Sequence, residues 1–455
     1  MKPSRAPGAY PDPARGAAVE LLVECESSAG SFDTLLERLN AGDGDARDRR
    51  FVRQLAAGVV KWRSRLDWVL DRFASRPVAA MDPPARQILR LGAFQLLFLD
   101  RVPGRAVVHS SVELAKHFGH RGIASMVNAV LRQVHDRGRQ LAGPGRDGDP
   151  VGYLAVWFSH PQWLVERWVA RWGAARTEAL LRANNEPGRV WVRPQVERVD
   201  AVQLAGALDL EAPAGSEPPG DALAVPDPTG LFAGPAFADG LFFVQDANAG
   251  LPVALLDPQP GERVLDVCSA PGGKAVQAAL AVGPGGRVVA ADLSRSRLER
   301  LHENRHRLGL GQLQPLVEDG ARPAVGVSGA AATFDRVLVD APCTGTGVLA
   351  RHPEARWLRR PRDVERNAAL QGALLAAAWP RLRPGGVLVY STCSLEEEEN
   401  DAVVDRFLTG VRRARLEPAG PLFPGTPWAR RCIQTLPGRD PGDGSFAARI
   451  RKVEA

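Results

Sequence analysis

Residues 241–455 alternate between short apolar runs and amphipathic segments, and this alternation constrains the fold more than any other feature. Strands that alternate with helices are typical of a doubly wound α/β domain. The runs are uniformly apolar, as expected for parallel strands buried on both faces. The predicted strands are Arg263–Cys268, Arg287–Asp292, Arg336–Asp340 and Val387–Ser391. We therefore predict a Rossmann-like α/β domain over residues 241–455.

The preceding half of the chain has a different pattern. From Ala14 to about His135, apolar residues recur at the three-to-four spacing of amphipathic helices. A Gly/Asp-rich stretch at residues 143–150 then predicts a linker. The next segment begins helical and changes to short strands. The 455 residues therefore predict an all-helical domain over 14–140, a smaller segment over 151–240 and the α/β domain.

Two cysteines follow predicted strands directly. Cys343 lies in Asp-Ala-Pro-Cys-Thr-Gly-Thr-Gly and Cys393 lies in Ser-Thr-Cys-Ser. Since the carboxyl ends of parallel strands meet at one crevice, we expect both thiols to face it. A thiolate there can attack an electron-poor carbon. A cysteine can also be a small buried hydrophobe, which is the reading we favour for Cys25 and Cys432.

A glycine turn follows the first strand of the α/β domain. Gly272 and Gly273 allow close approach of the backbone to a ligand, and Asp292 ends the next strand, where a carboxylate accepts from ribose hydroxyls. The turn lacks both the full Gly-x-Gly-x-x-Gly spacing and a phosphate-binding loop. A nucleoside cofactor such as S-adenosyl-L-methionine therefore fits better than NAD or ATP. Asp319 is either an acceptor for an adenine amino group or a solvated loop acid.

Composition suggests the partner and the compartment. The net charge of +6 comes from arginine, which suits a nucleic-acid partner, although an arginine-rich coding bias would give the same excess. No secretory segment, long apolar run or zinc-site spacing occurs, so we predict a cytoplasmic monomer without membrane contact or metal. The candidate phosphate contacts, each equally compatible with a solvated face, are Arg193, Arg351, Arg356, Arg359 and Arg360.

Several long motifs resemble the RNA cytosine-5 methyltransferases of the RsmB/RsmF family. They are Phe243-Val-Gln-Asp-Ala-Asn-Ala, Val267-Cys-Ser-Ala-Pro-Gly-Gly-Lys-Ala, the two cysteine segments, and Glu399-Asn400. Arg50-Phe-Val-Arg-Gln-Leu, Leu66-Asp-Trp-Val-Leu-Asp and Val127-Asn-Ala-Val-Leu-Arg look like the NusB-like helical domain of RsmB-type members. The resemblance covers nearly the whole chain.

The resemblance implies S-adenosyl-L-methionine-dependent methylation of carbon 5 of a specific cytosine in small-subunit (16S) ribosomal RNA. It implies a NusB-like RNA-binding domain at 14–140, an RNA-recognition segment at 151–240 and a catalytic domain at 241–455. By the same resemblance Cys393 is the nucleophile and Cys343 assists product release, while Asp340 is placed to act at cytosine N3. The residues implied to hold the cofactor are Cys268, Ser269, Ala270, Pro271, Gly272, Gly273, Lys274, Asp292, Asp319 and Asp340.

The chain departs from the family pattern at two places, and three alternatives stay open. The departures are Arg193-Pro-Gln195, where the family has Arg-x-Asn, and Asp443-Gly-Ser-Phe446, where it has Asp-Gly-Phe-Phe. In the first alternative Cys343 is the nucleophile, since it lies in a Pro-Cys pair like that of DNA cytosine-5 methyltransferases. The second is an RNA-binding assembly factor without catalysis. The third is the same reaction on transfer RNA or large-subunit RNA.

Overall fold

The computed structural model describes residues 10–27, 32, 35, 45–211, 221–323 and 334–454. The chain divides into two compact units, residues 1–185 with 356–358, and residues 186–355 with 359–455. The segments predicted at 14–140, 151–240 and 241–455 each include residues outside the described part. The division between Asn185 and Glu186 assigns the helices from Pro150 to Ala183 to the first unit, whereas the sequence pattern groups them with the segment that follows.

The first unit is helical in its described part. Its helices are Pro13–Ser27, Ala46–Lys61, Arg63–Asp71, Pro83–Phe98, Gly104–Phe118, Arg121–Arg137, Pro150–Trp157, Gln162–Trp172 and Ala174–Ala183, with 3₁₀ turns at Val78–Ala80 and Gly138–Gln140. Asp45 and Asp149 cap the helices that follow them, because their side chains accept hydrogen bonds from backbone N–H groups of the first turn. Apolar residues at helical spacing form a buried core that includes Leu55, Leu89 and Leu131.

Residues 356–358 complete this unit although they lie far along the chain. The buried Arg356 guanidinium donates hydrogen bonds to the carbonyl oxygens of Ser159 at 3.0 Å and Asn184 at 3.1 Å. It also donates to Oδ1 of Asn185 at 2.9 Å. The neighbouring His160 is buried, and both burial and the Arg356 charge hold its pKa well below the ordinary value. The unit is therefore discontinuous in sequence.

The second unit begins with a small antiparallel sheet. Its strands are β1 (Val190–Pro194), β2 (Leu223–Val225) and β3 (Phe242–Val244), in the order β2-β1-β3. The helix Ala201–Ala207 packs on the sheet, and its start is fixed by a capping box between Asp200 and Gln203. Most side chains of the three strands are buried.

A larger mixed sheet positions the predicted site. Its order is β10-β11-β8-β7-β4-β5-β6, with β9 paired to β11. The five strands from β6 to β8 in this order are parallel, and β9, β10 and β11 are antiparallel to their partners. The bounds are β4 Arg263–Asp266, β5 Arg287–Asp292, β6 Leu313–Val317, β7 Phe334–Asp340, β8 Leu382–Thr392, β9 Ala414–Glu417, β10 Ile433–Gln434 and β11 Phe446–Lys452.

Apolar side chains cover both faces of this sheet. Val264 and Leu338 belong to one buried cluster, while their chain neighbours Leu265 and Val337 belong to the other. This alternation follows from the two-residue period of a strand. The helices of the unit are Ala201–Ala207, Pro235–Ala238, Leu251–Leu256, Gly273–Val282, Arg295–Leu308, Pro361–Ala378 and Asp401–Gly410, with 3₁₀ turns at Asn248–Gly250, Trp379–Arg381, Glu397–Glu399 and Gly420–Leu422; the helix Ala355–Leu358 bridges the unit boundary.

The strand order reverses at β4, because β5 lies on one side of it and β7 on the other. Open α/β sheets bind ligands at such a reversal, beyond the carboxyl ends of the strands. β4 runs into the predicted glycine turn, and β7 and β8 run into the two cysteine segments. None of the helices in the described residues is long and apolar enough to cross a membrane.

Candidate active site

The two predicted thiols lie side by side. β7 and β8 pair in parallel with Asp340 opposite Ser391, so the segments after them leave the same edge of the sheet. The Sγ atoms of Cys343 and Cys393 are 3.4 Å apart. Both side chains are partly buried. The structure therefore brings the two cysteines into one crevice, as the strand pattern predicts.

The environment distinguishes the two thiols. A hydrogen bond from Cys343 lowers the pKa of Cys393 below the ordinary value, and the positive charge of Lys274 acts in the same direction against burial. The same hydrogen bond, together with burial, raises the pKa of Cys343 well above the ordinary value. Either sulfur can donate in the 3.4 Å contact, and the two pKa directions favour the form in which Cys343 keeps its proton and donates it to Cys393. A thiolate in this pair forms preferentially on Cys393.

A lysine–aspartate pair lies next to the thiols. Lys274 Nζ is 2.8 Å from Oδ2 of Asp340, and the Ser391 hydroxyl donates to Oδ1 of Asp340 at 2.7 Å. Burial lowers the pKa of Lys274, but the Asp340 carboxylate outweighs it and the net shift is upward. The lysine is therefore held as a cation between the glycine turn and the cysteines.

The glycine turn has a backbone that a larger residue would disrupt. Gly272 has a φ of +109°, and a Cβ atom there would lie 2.0 Å from Cδ1 of Leu301. Ala270 N–H donates to Oδ2 of Asp292 at 3.1 Å, which ties the turn to the end of β5. The helix Gly273–Val282 starts directly after the turn, so its free N–H groups face the same edge of the sheet.

The acids after β5 and β6 lie close together. Asp292 is buried and pairs with Val317 across the two strands. Its Oδ1 accepts hydrogen bonds from Ser294 N–H at 2.9 Å and from Arg297 Nη2 at 2.8 Å. Asp319 is exposed and accepts from the backbone of Ala321. Asp292 therefore has a fixed orientation, whereas Asp319 lies free of side-chain contacts in the described residues.

An apolar surface lies beside these two acids. Leu293 is 70% exposed and Val317 is 54% exposed, which is unusual for large apolar side chains at a strand end. Val317 pairs with Asp292, the residue before Leu293, so Leu293 and Val317 both lie at the ends of β5 and β6. Two apolar side chains next to the carboxylates of Asp292 and Asp319 suit a flat heterocycle with polar edges. Neither residue was predicted from the sequence, and their position after strand ends is the signal that could have identified them.

Asp266 is a further site residue that was not predicted from the sequence. It lies at the end of β4 and is fully buried. Its carboxylate interacts with the neighbouring Ser269 hydroxyl, and neither group has a hydrogen bond to any other partner in the described residues. Burial, reinforced by the nearby charge of Asp340, raises the pKa of Asp266 to about 7. Buried polar groups with unused hydrogen-bonding capacity at a strand end fit a site that a polar ligand completes.

The full length of the chain matches known proteins. It is 36% identical to the ribosomal RNA small subunit methyltransferase B of Salmonella arizonae, over 96% of this chain and 97% of that protein. The protein of the same name from Erwinia tasmaniensis is 35% identical over 96% of this chain and 97% of its own length. A family model described as 16S rRNA methyltransferase RsmB/F matches residues 253–451. This chain belongs to the RsmB/F family.

Other comparisons cover the remaining parts of this RsmB/F chain. The NusB family model matches residues 12–136, and a model for the ferredoxin-like domain of RsmF/B-like methyltransferases matches residues 160–217. The crystal structure of PH0851 is similar with a TM-score of 0.79 and 25% identity, over 99% of this chain and all of that one. A methyltransferase homolog from Pyrococcus horikoshii has a TM-score of 0.55 and 26% identity, over 67% of this chain and 99% of that one. The predicted fold class, a NusB-like helical domain before a Rossmann-like methyltransferase domain, is confirmed.

Two arginines of this RsmB/F chain are not available as phosphate contacts. Arg356 is buried in the helical unit. Arg193 is buried too, because its guanidinium donates to Asp221 at 2.8 Å and to the carbonyl oxygen of Ala247 at 2.9 Å. Arg351 is engaged by Asp246 and Asp443. The prediction of phosphate contacts is therefore wrong for Arg193 and Arg356, since an arginine that satisfies distant carbonyl groups looks like a surface arginine in the sequence.

The remaining cysteines are consistent with structural positions. Cys432 is buried, and burial raises its pKa to about 12. Cys25 packs against the core of the helical unit. Burial and the charge of Asp266 raise the pKa of Cys268, so its thiol stays protonated at the start of the glycine turn. No group of His, Cys, Asp or Glu side chains in the part of the chain that the structure describes is arranged to hold a metal ion.

Proposed function

We propose that this chain methylates carbon 5 of a cytosine in small-subunit ribosomal RNA through a covalent adduct between Cys393 and carbon 6. The observation that carries the proposal is the pair of thiols 3.4 Å apart with pKa values shifted in opposite directions. The names of the Salmonella and Erwinia relatives support the substrate class. These names support methyl transfer to ribosomal RNA, and we propose carbon 5 of cytosine as the atom that receives the methyl group.

Cys393 begins the reaction as a nucleophile. Carbon 5 of cytosine is a poor nucleophile until its double bond to carbon 6 is broken. The Cys393 thiolate adds to carbon 6, and the electron pair displaced from the double bond makes carbon 5 enamine-like. Cys343 and Lys274 both favour the thiolate of Cys393 before attack. The target base must leave its stack for the sulfur to reach it, so we expect a flipped or single-stranded cytosine.

Asp340 and Lys274 act on the other side of the ring. A proton or hydrogen bond at N3 stabilises the charge that addition of the thiolate creates. Asp340 is held by Lys274 and Ser391 at the carboxyl end of β7, three residues before Cys343 in the chain. We assign to Asp340 in its acid form the donation of a proton to N3 as the thiolate adds, and the return of that proton to Asp340 when the double bond re-forms. Lys274 and Ser391 stabilise the carboxylate that exists between these two transfers.

The glycine turn and the neighbouring acids hold the methyl donor. S-adenosyl-L-methionine, when bound, supplies an electrophilic methyl group at carbon 5. Asp292 has room for a ribose hydroxyl, since three hydrogen bonds leave part of its accepting capacity unused. Leu293 and Val317 would contact the adenine, and Asp319 would accept from its amino group. Asp266 and Ser269, whose hydrogen-bonding capacity is not fully used within the described residues, would contact the amino-acid part of the donor.

Cys343 completes the cycle. While Cys393 is a thiolate, its charge and its hydrogen bond oppose ionisation of Cys343. Once the sulfur of Cys393 has bonded to carbon 6, that charge is gone. Cys343 can then release its proton to solvent water and, as a thiolate, accept the proton from carbon 5, and the electrons of the broken C–H bond restore the double bond and expel the Cys393 thiolate. Each cysteine therefore ends the turnover in the form in which it began, Cys343 as a thiol and Cys393 as a thiolate.

The roles of the other parts of the chain are proposals as well. We assign RNA binding to the NusB-like segment 14–140, in which 20 Lys and Arg residues exceed 14 Asp and Glu residues. We assign RNA recognition to the segment 151–240 on the strength of the family resemblance alone. A monomer in the cytoplasm stays a prediction. Transfer RNA and large-subunit RNA are the competing substrates, and each is tested with the same assay as the small-subunit RNA.

A denaturing gel of protein mixed with ribosomal RNA and labelled S-adenosyl-L-methionine tests the proposal. We expect Cys343→Ala to accumulate a covalent RNA adduct that carries label, because release fails. Cys393→Ala should form no adduct and transfer no methyl group. Cys432→Ala is the matched control and should behave like the wild type, since its thiol is buried away from the crevice.

Three outcomes contradict parts of the proposal. An adduct that requires Cys343 and forms without Cys393 reverses the two roles and supports the Pro-Cys assignment. RNA binding without any transfer from the wild type supports an assembly factor. Label that appears only on transfer RNA or on large-subunit RNA changes the substrate and leaves the chemistry in place.

A further inference from the structure

A buried carboxylate lies behind the two cysteine segments. Glu399 follows β8 in the 3₁₀ turn Glu397–Glu399 and has no exposed surface. In the described residues it forms no ion pair with a lysine, arginine or histidine. Burial of a carboxylate is costly unless hydrogen bonds compensate for it, so such a residue is retained only where its surroundings supply several donors.

Those donors come from both cysteine segments. Oε1 of Glu399 accepts the backbone N–H of Thr344, the residue after Cys343, at 2.9 Å, and the Gln371 amide at 3.3 Å. Oε2 accepts the hydroxyl groups of Thr344 and Ser394, and Ser394 is the residue after Cys393. All of these partners are buried. One carboxylate therefore holds the two segments in register, and four donors on two oxygens suit its ionised form.

The charge of Glu399 acts unequally on the two thiols. It contributes to the rise in the pKa of Cys343, after the hydrogen bond to Cys393, burial and the Cys393 charge. The charged groups that act most strongly on Cys393 are different, namely Asp340, Lys274 and Asp443. The neighbouring Tyr390 hydroxyl is also buried and stays protonated, because burial raises its pKa. Glu399 thus disfavours a thiolate on Cys343, which it reaches through the backbone N–H of the adjacent Thr344, more than it does on Cys393.

We propose that Glu399 is a positioning residue that fixes the geometry of the cysteine pair and keeps Cys343 in the thiol form, so that Cys393 is the nucleophile. The assignment of Cys393 as the nucleophile rests on the proposed function. The effect of Glu399 on the ionisation of Cys343 can be measured without RNA or methyl donor. The hydrogen bond between the thiols and the burial of Cys343 already disfavour a Cys343 thiolate, and the Glu399 charge adds to both. A carboxylate that contacts neither substrate nor cofactor thus strengthens the preference for Cys393 before the adduct forms.

Alkylation of each cysteine measures this division directly. The protein is treated with iodoacetamide over a range of pH values, without RNA or methyl donor, and the modified peptides are quantified by mass spectrometry. The variant is Glu399→Gln, which keeps the size of the side chain and one of its two accepting oxygens and removes its charge. The matched control is Glu397→Gln, because Glu397 lies two residues away in the same turn and is exposed.

In the wild type and in Glu397→Gln we expect Cys393 to be alkylated first at neutral pH. In Glu399→Gln the labelling of Cys343 should rise relative to Cys393, and a Cys343 pKa that is lower by one corresponds to a rise of about tenfold. The comparison is repeated with Cys393→Ser in both backgrounds, so that the titration of Cys343 is seen without its neighbour. A purely structural role would accelerate both thiols together and leave their ratio unchanged.

An unchanged ratio in folded Glu399→Gln overturns the inference. If that variant does not fold, Glu399→Asp decides, because it keeps the charge and shortens the reach to the two segments. Its ratio should remain that of the wild type, and preferential labelling of Cys343 in it contradicts the proposal. A shifted ratio in a protein that never methylates RNA leaves this inference in place and rejects the proposed function. Normal RNA methylation by the wild type, together with a labelling ratio of Cys343 to Cys393 that does not change in Glu399→Gln, supports the proposed function and rejects this inference.

Discussion

Lys274 connects the glycine turn to the two thiols at the scale of a single residue. It lies in the first turn of the helix after the glycine turn, its ammonium group is bound to Asp340, and its charge lowers the pKa of Cys393. A surface lysine would have none of these contacts. The identity of the residue at this position therefore links the glycine turn to the ionisation of Cys393.

We predict that Lys274→Met raises the pKa of the Cys393 thiol. The lysine charge lowers that pKa, so its removal moves the pH at which Cys393 becomes half-alkylated upward. At neutral pH the labelling rate should fall, by about tenfold if the Cys393 pKa is higher by one. The exposed Lys116 supplies the control Lys116→Met, which should leave the profile in place. A profile that is the same in both variants contradicts the role of Lys274.

Asp266 gives a prediction about stability and pH. Its pKa is raised to about 7 in the folded chain, above the unfolded value near 4. Between these values the unfolded state has released the proton that the folded state keeps. The Asp266 contribution to stability is therefore fully present below about pH 4 and is lost as the pH rises to about 7.

We expect Asp266→Asn to flatten this dependence. Urea unfolding at pH 5 and pH 8 should show a free energy of unfolding that declines more in the wild type than in the variant, by a few kcal/mol. Addition of S-adenosyl-L-methionine should reduce the difference, since a cationic ligand favours the ionised Asp266. Equal declines in the two proteins would show that Asp266 is ionised already at pH 5.

At the scale of the element, the turn between β4 and the helix Gly273–Val282 depends on one glycine. Gly272→Ala places a Cβ atom 2.0 Å from Leu301 with φ at +109°. We expect a loss of about 1–3 kcal/mol in the free energy of unfolding and a weaker affinity for S-adenosyl-L-methionine in calorimetry. Gly372→Ala is the control, because Gly372 lies within a helix with no neighbour in reach, and it should stabilise slightly. Equal affinity in the two variants would exclude a role of the turn in binding.

The strands and motifs could be predicted because their information is local. An apolar run of four to seven residues followed by a turn segment predicted the ends of β5, β7 and β8, and with them Asp292, Asp340 and both cysteines. The network around Glu399 could not be predicted in this way. Four glutamates in a row, Glu396 to Glu399, give no sign of which of them binds both cysteine segments, since that depends on loops about 50 residues apart in the chain.

At the scale of the whole molecule, the helical unit depends on residues from far along the chain. Arg356 satisfies groups on Ser159, Asn184 and Asn185, so Arg356→Ala leaves buried acceptors unpaired. We expect a loss of about 2–4 kcal/mol in the free energy of unfolding, measured with urea. The exposed Arg362 gives the control Arg362→Ala, for which we expect almost no change. Equal stability of the two variants would mean that water replaces the guanidinium.

The same long separation explains the error about Arg193 and Arg356. Both arginines lie next to loop segments in a basic chain. An arginine in that position is expected from the sequence to contact phosphate. The hydrogen-bond partners of Arg193 and Arg356 lie 28 to 295 residues away, and no local pattern encodes such a pairing. Positions that are fixed by distant polar groups therefore require the folded structure, whereas positions fixed by strand ends do not.

The discontinuity of the helical unit also sets an order in time. A ribosome releases Asn185 long before it has made Arg356, and at 5–20 residues per second the interval is about 10–30 s. During that interval the polar groups of Ser159, Asn184 and Asn185 have no guanidinium to bind. The helical unit therefore reaches its final form only after β4 to β7, half of the strands of the larger sheet, have been synthesised, so the part of the chain that is made first waits for a much later part before it is complete.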